Sequence, residues 1–250
     1  MGKYNSSTYR VTPLMEHIEG NLERINKFLS LVGLKVNSLP YEYFYGEDEK
    51  LLKPTKEHLI ELVEYISKRD NSKIETTNKN REVLYHASKE ERANKKDEAI
   101  KLINKRYAGL PSTTRAWYIF EGFTHPDIFI EGEDYILIGE GKWTENHITT
   151  ETTHLKTSNK EYRNQMIRHI QGAINYSNKP VYAFYLVDEK CGYLNDLTKE
   201  SFEEQLEKET IKLSNEDKKK LLDAFKGYAT WQDIKKAFPN LEFLEKKDIK

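Results

Sequence analysis

An unbroken apolar run, Val181–Val187 (VYAFYLV), stands between Pro180 and the charged residues Asp188, Glu189 and Lys190. It is far shorter than the ~20 residues that span a bilayer. Its β-branched and aromatic side chains, bounded by a proline, read as a buried strand. Three shorter runs upstream have similar character: Arg115–Phe120 (RAWYIF), Asp127–Ile130 (DIFI) and Tyr135–Ile138 (YILI). The last two are joined by Glu131-Gly132-Glu133-Asp134, a turn-compatible sequence. Helical patterns lie on either side of the strand-like runs. A charged helix from Ser88 to Arg106 carries Ala99, Leu102, Ile103 and Tyr107 on one side, and a second runs from about Lys160 to Tyr176. The order helix, three strands, helix, strand implies an α/β fold with a mixed central sheet.

The flanks read as helical. In residues 1–82, Leu14, Ile18, Leu22, Ile25, Leu29 and Val32 form one apolar stripe that Gly33 stops. Leu59, Val63 and Ile66 mark another helix starting near Thr55, after Pro54. Between these, Tyr41, Tyr43, Phe44 and Tyr45 form an aromatic connector, and residues 69–82 read as a linker. In residues 191–250, Phe202 and Leu206 lie on one helix, and Leu221, Leu222 and Phe225 on the next, closed by Gly227. Thr230 and Asp233 resemble a capping box opening a third helix that stops before Pro239. Leu241 and Phe243 fit a short terminal strand. The expected division is therefore a helical region at 1–82, a core at 83–190 and a helical extension at 191–250.

Composition narrows the function classes. Aromatics are plentiful, with 16 Tyr, 10 Phe and 3 Trp, which argues against a disordered chain. Cys191 is the single cysteine, so there is neither an intrachain disulfide nor a Cys-cluster zinc site, and a reduced, cytoplasmic setting is expected. The start, MGKYNSSTYR, lacks an apolar signal core; its match to the myristoylation pattern through Gly2 and Ser6 reads as chance. No membrane partner is expected. With 40 basic and 41 acidic residues the net charge is −1, so overall charge does not point to nucleic acid, and any such role must rest on a local site.

That site is the stretch His125–Glu145. Alternation along a strand puts Ile136, Ile138, Glu140 and Lys142 on one face if the third strand runs that far. A hairpin brings Asp127, at the start of the neighbouring strand, beside Glu140. Gly139 and Gly141 flank Glu140, leaving room for a ligand to approach the backbone. Two carboxylates offer the hard oxygen donors that Mg²⁺ prefers. Such an ion polarises a phosphoryl group and acidifies a bound water, while a lysine nearby offsets developing negative charge. The set suits phosphodiester hydrolysis.

Pro126-Asp127 followed by Glu140-Gly141-Lys142, on strands and ahead of a helix, resembles the motif of the PD-(D/E)xK nuclease superfamily, the restriction-endonuclease-like fold. The order of elements resembles that family's αβββαβ core, over about residues 85–190. The resemblance implies that Asp127 and Glu140 hold Mg²⁺ or Mn²⁺, with the Gly141 carbonyl a candidate third ligand, and that Lys142 positions or activates the attacking water. Gln165 matches the Gln that several member families carry on the helix after this motif; it shares a helix face with His169 and Gly172. Arg163 and Arg168 are candidate phosphate contacts, and His169 joins them as a candidate nucleic-acid contact. Some members use an acid on the first core helix; Glu90, Glu91, Glu98 and Glu121 all remain open for that place.

The expectation is a Mg²⁺-dependent nuclease, acting on DNA rather than RNA, with restriction or defence among its implied roles. Cutting both strands of a duplex would call for a two-fold homodimer. A zinc site built from His125, His147, His154 and His169 is the rival chemistry, but these lack the close pairing of metal-ligand histidines. No phosphate-binding Gly-rich loop or nucleophile elbow is present. The competing reading from another class keeps the fold without catalysis, as a nucleic-acid-binding or protein-interaction module; a nucleotide phosphohydrolase is a third.

Overall fold

A computed structural model describes residues 6–68, 88–109, 123–143, 164–209 and 212–244. Within them five strands form one mixed sheet in the order β1-β2-β3-β4-β5. The strands are β1 (Glu42–Tyr45), β2 (Ile128–Glu131), β3 (Ile136–Gly141), β4 (Val181–Val187) and β5 (Phe225–Thr230). The β1/β2 and β2/β3 pairs are antiparallel, whereas β3/β4 and β4/β5 are parallel. The architecture is α/β, and β4 occupies the interior position that its apolar run requires.

Helices cover both faces. On one side α1 (Thr12–Ile18), α2 (Leu22–Ser30) and α8 (Trp231–Ala237) pack on Ile128, Ile130, Leu137, Phe184 and Leu186. On the other, α5 (Gln165–Tyr176), α6 (Lys199–Glu207) and α7 (Asn215–Ala224) pack on Phe129, Ile136, Ile138, Ala183 and Tyr185. The partition follows strand alternation residue by residue, so Glu140, two positions beyond Ile138, faces α5. Helices α3 (Lys56–Lys68) and α4 (Lys89–Tyr107) form a satellite core of Leu59, Leu62, Val63, Ala99, Ile103 and Phe123. No helix among the described residues is long and apolar enough to cross a membrane.

Several sequence expectations are revised. The stripe from Leu14 to Val32 is two helices, broken where Gly20 takes φ +70° and Asn21 caps α2 by accepting from Arg24 N at 3.0 Å. The aromatic connector is the edge strand β1, its residues all half-buried. The helix through Leu221 stops at Ala224, and Phe225 and Gly227 belong to β5. There Ala183 faces Phe225 but Tyr185 faces Tyr228, a bulge that Gly227 accommodates at φ +83°. Leu241–Phe243 is irregular rather than a strand. Both flanks thus contribute strands to the central sheet. Thr230 does cap α8, accepting from Asp233 N at 3.0 Å. The linker at 69–82 and the strand at Arg115–Phe120 lie outside the described residues.

Candidate functional site

The β2/β3 ladder ends at Ile128↔Gly139, leaving the next amide of β3 that faces β2, that of Gly141, without a strand partner. Asp127 supplies one: its Oδ2 accepts from Gly141 N at 2.8 Å. The strand end is pinned from three more directions. Lys142 N donates to Leu186 O at 2.8 Å, Trp231 Nε1 donates to Lys142 O at 2.9 Å, and Ser6 Oγ donates to Gly141 O at 2.7 Å. A side chain at Gly141 would meet Val11 Cγ2 at 2.8 Å, so the glycine lets the N-terminal turn Ser7–Val11 pack against the strand.

Glu140 is 2% exposed and is the hub of the site. Its Oε1 accepts from Lys142 Nζ at 2.8 Å and from Gln165 Nε2 at 2.8 Å, and its Oε2 lies 3.0 Å from His169 Nε2. Lys142 Nζ also donates to Gln165 Oε1 at 3.1 Å, closing a triangle of Glu140, Lys142 and Gln165. The helix reaches the strand because Asn164 caps it, accepting from Met166 N at 2.7 Å and Ile167 N at 3.2 Å. Asn164 is itself held by Gln205 of α6. Farther along the same face, a Cβ on Gly172 would lie 2.7 Å from Leu52 Cβ, so only glycine lets α5 sit this close.

The two acids have opposite electrostatics. Burial alone would raise Glu140, but the Lys142 ammonium and the His169 hydrogen bond outweigh it and hold its carboxyl down to about 2. Asp127 is pushed well above the usual carboxylate range, first by burial and then by the charge of Glu140, against the weaker pull of Lys142 and the Gly141 amide. Glu49, on the connector between β1 and α3, belongs to the same field. Burial and then Glu140 raise its carboxyl, and its own charge adds to the rise at Asp127. Such opposed carboxyls in one place are what a cation would reconcile.

The structure therefore brings Asp127, Glu140, Gly141, Lys142 and Gln165 to one end of the sheet. His169 also arrives there, but fully buried with both ring nitrogens engaged, and so beneath Glu140 rather than on a surface open to nucleic acid. Arg168 is 6% exposed, which likewise does not suit an open phosphate contact. Arg163, Glu121, His147 and His154 lie outside the described residues; Glu90, Glu91 and Glu98 are on α4, whose apolar side packs on α3. His125 is exposed. Sequence reasoning missed Thr124, Asn164, Glu49 and Ser6. Asn164, an Asn just ahead of an apolar periodic stretch, carried a capping signal; Glu49 and Ser6 are too remote in sequence to carry any.

Among the described residues no group of three or more His, Cys, Asp or Glu side chains is placed to hold a metal ion. The available donors are the Asp127 and Glu140 carboxylates and the Gly141 carbonyl. That set fits Mg²⁺, which is commonly bound by one or two carboxylates and keeps several waters, better than zinc, which favours nitrogen and sulfur. Comparison with protein-family models, with curated proteins and with solved structures gave no match to the chain.

Proposed function

We propose that the protein is a divalent-metal-dependent nuclease of the PD-(D/E)xK type, hydrolysing phosphodiester bonds in DNA. The observation that carries this reading is the convergence of Glu140, Lys142 and Gln165 in one hydrogen-bonded triangle at the strand end where Asp127 caps the Gly141 amide. The path of the chain supports it. With β1 as first strand, the succession α2, β1, β2, β3, α5, β4 has the αβββαβ order. The segment carrying α3 and α4 is then an insertion between the first two strands, and α4, which Ser88 caps, is not the first core helix in this reading.

In this reading Asp127 and Glu140, with the Gly141 carbonyl, hold Mg²⁺ or Mn²⁺, which when bound supplies phosphoryl polarisation and a more acidic water. The chain's own residues do the rest. Lys142, fixed at its backbone by Leu186 and Trp231 and at its ammonium by Glu140 and Gln165, keeps a positive charge at the strand end where negative charge builds. Gln165 binds both partners at once and sets the spacing between them. The hydroxyl of Ser6 takes one lone pair of the Gly141 carbonyl, leaving the other.

The test is cleavage of supercoiled plasmid and linear duplex by purified protein with Mg²⁺ or with EDTA, alongside single-stranded RNA. Wild type is expected to cut DNA only with metal, and Lys142→Ala to lose at least ~100-fold in rate. Equal activity of the two removes Lys142 from the mechanism. DNA binding without cleavage, and indifferent to Mg²⁺, would favour a catalytically silent module. The observation on that side is that both Glu140 oxygens are already engaged by protein donors.

A further inference from the structure

Behind Glu140 lies a chain of buried polar groups that the proposed chemistry does not use. His169 is fully buried, and its Nε2 is 3.0 Å from Glu140 Oε2. Its Nδ1 is 2.7 Å from Thr124 Oγ1. Thr124 is 5% exposed, and its backbone is locked to Leu52 by two hydrogen bonds, Leu52 N to Thr124 O at 2.9 Å and Thr124 N to Leu52 O at 3.1 Å. Leu52 in turn is the residue on which Gly172 of α5 sits flush. His169 is thus held between two elements whose separation the Gly172 contact sets.

The direction of the bond to Glu140 follows from chemistry. An ionised carboxylate can only accept, so His169 Nε2 carries a proton and donates to Glu140 Oε2. A threonine hydroxyl both donates and accepts, so Thr124 Oγ1, 2.7 Å from Nδ1, supplies the ring's second hydrogen bond whichever role Nδ1 takes. Glu140 Oε1 is held separately by Lys142 and Gln165. Each oxygen of the carboxylate therefore has its own fixed donors, and the group has no freedom to rotate.

We propose that Thr124 and His169 are positioning residues that fix the orientation of the Glu140 carboxylate, with the Thr124 hydroxyl holding the His169 ring in the orientation from which Nε2 donates to Oε2. The proposal rests on the nuclease reading for its consequence, since Glu140 is there a metal ligand, but the brace itself is a property of the folded chain. Without the Thr124 hydroxyl the hydrogen bond that holds Nδ1 is lost, and the ring can turn its Nε2–H away from Oε2. Partners of this kind, one step removed from a ligand, typically contribute 10–100-fold to metal affinity or activity.

The experiment compares wild type, Thr124→Val, Thr124→Ser, His169→Gln and His169→Ala by two readouts. The first is the His169 Nε2–H resonance in the imidazole ¹H–¹⁵N spectrum: wild type and Thr124→Ser are expected to show it sharp and protected from solvent exchange, and Thr124→Val to show it broadened or lost. The second is the Mg²⁺ concentration giving half-maximal DNA cleavage. It is expected to rise about 10-fold or more in Thr124→Val and His169→Ala with the KM for DNA unchanged. His169→Gln, whose amide can still donate to Oε2, and Thr124→Ser should restore it. An unaltered Nε2–H resonance together with unaltered Mg²⁺ dependence in Thr124→Val overturns the proposal, as does His169→Ala behaving like wild type. If wild type itself shows no metal-dependent cleavage, the nuclease reading fails, and the ¹⁵N spectra still decide whether the brace exists.

Discussion

Asp127 and Glu140 are electrostatically unequal partners. Glu140 is an acid whose pKa is depressed on folding, so its contribution to stability is full above its unfolded value of ~4.3 and is lost as pH falls through about 2. Asp127 is raised, so its contribution is present below its unfolded value of ~3.9 and is lost as pH rises through its folded pKa. At neutral pH, Asp127 therefore works against the fold. Asn at this position keeps an oxygen to accept from Gly141 N and drops the charge that Glu140 opposes. In EDTA, Asp127→Asn is expected to raise Tm near pH 8 by a few degrees, at about 2–4 °C per kcal/mol for a chain of this size, with the gain vanishing near pH 4. Thermal denaturation at the two pH values checks this, and a fall in Tm near pH 8 would contradict it. On the proposed nuclease reading the same change is expected to abolish metal-dependent cleavage, a gain in stability at the expense of activity.

At the scale of elements, α5 carries the site and is held by its cap and its glycine. Asn164→Ala removes the acceptor for two helix amides and the contact with Gln205, and is expected to cost about 1–2 kcal/mol in urea denaturation. Gly172→Ala puts a Cβ 2.7 Å from Leu52 Cβ, and the resulting overpacking is expected to cost about 1–3 kcal/mol and to reduce cleavage by shifting Gln165 and His169 together. The face uniting Gln165, His169 and Gly172 was legible in the sequence because it follows from helical period alone, and so was the face uniting Ile138, Glu140 and Lys142. What the three residues of α5 touch was not legible. His169 meets Thr124 through Nδ1, and the arrival of Thr124 is set by its pairing with Leu52 across a long stretch of chain. The strands divide in the same way. Pro180 and the charges after Val187 punctuate β4, which runs over Val181–Val187 as the sequence suggests. An edge strand with every residue half-buried, such as β1, shows no alternation, and Gly227 in the bulge of β5 mimics a helix stop.

Across the whole molecule, the three stretches that composition suggests are interleaved in space. Residues before 82 supply β1, α1 and α2, and residues after 191 supply β5 and α8. One apolar cluster runs from Val11 through Phe184 to Leu241. A fragment of residues 83–190 lacks both edge strands and a helical layer, and is expected to show no cooperative thermal transition, whereas the full chain melts in one. A sharp transition from the fragment would contradict this reading of the core. Short local patterns cannot reveal such interleaving, because β1 and β2 are joined in the sheet by residues more than eighty positions apart, such as Tyr45 and Ile128. The central claim, that Asp127 and Glu140 grip one divalent ion at the strand end, is tested most directly by anomalous diffraction from crystals soaked in Mn²⁺. A single strong peak bonded to oxygens of both carboxylates is the predicted result; a soaked crystal with no peak between them, or with manganese bound only elsewhere, would contradict it.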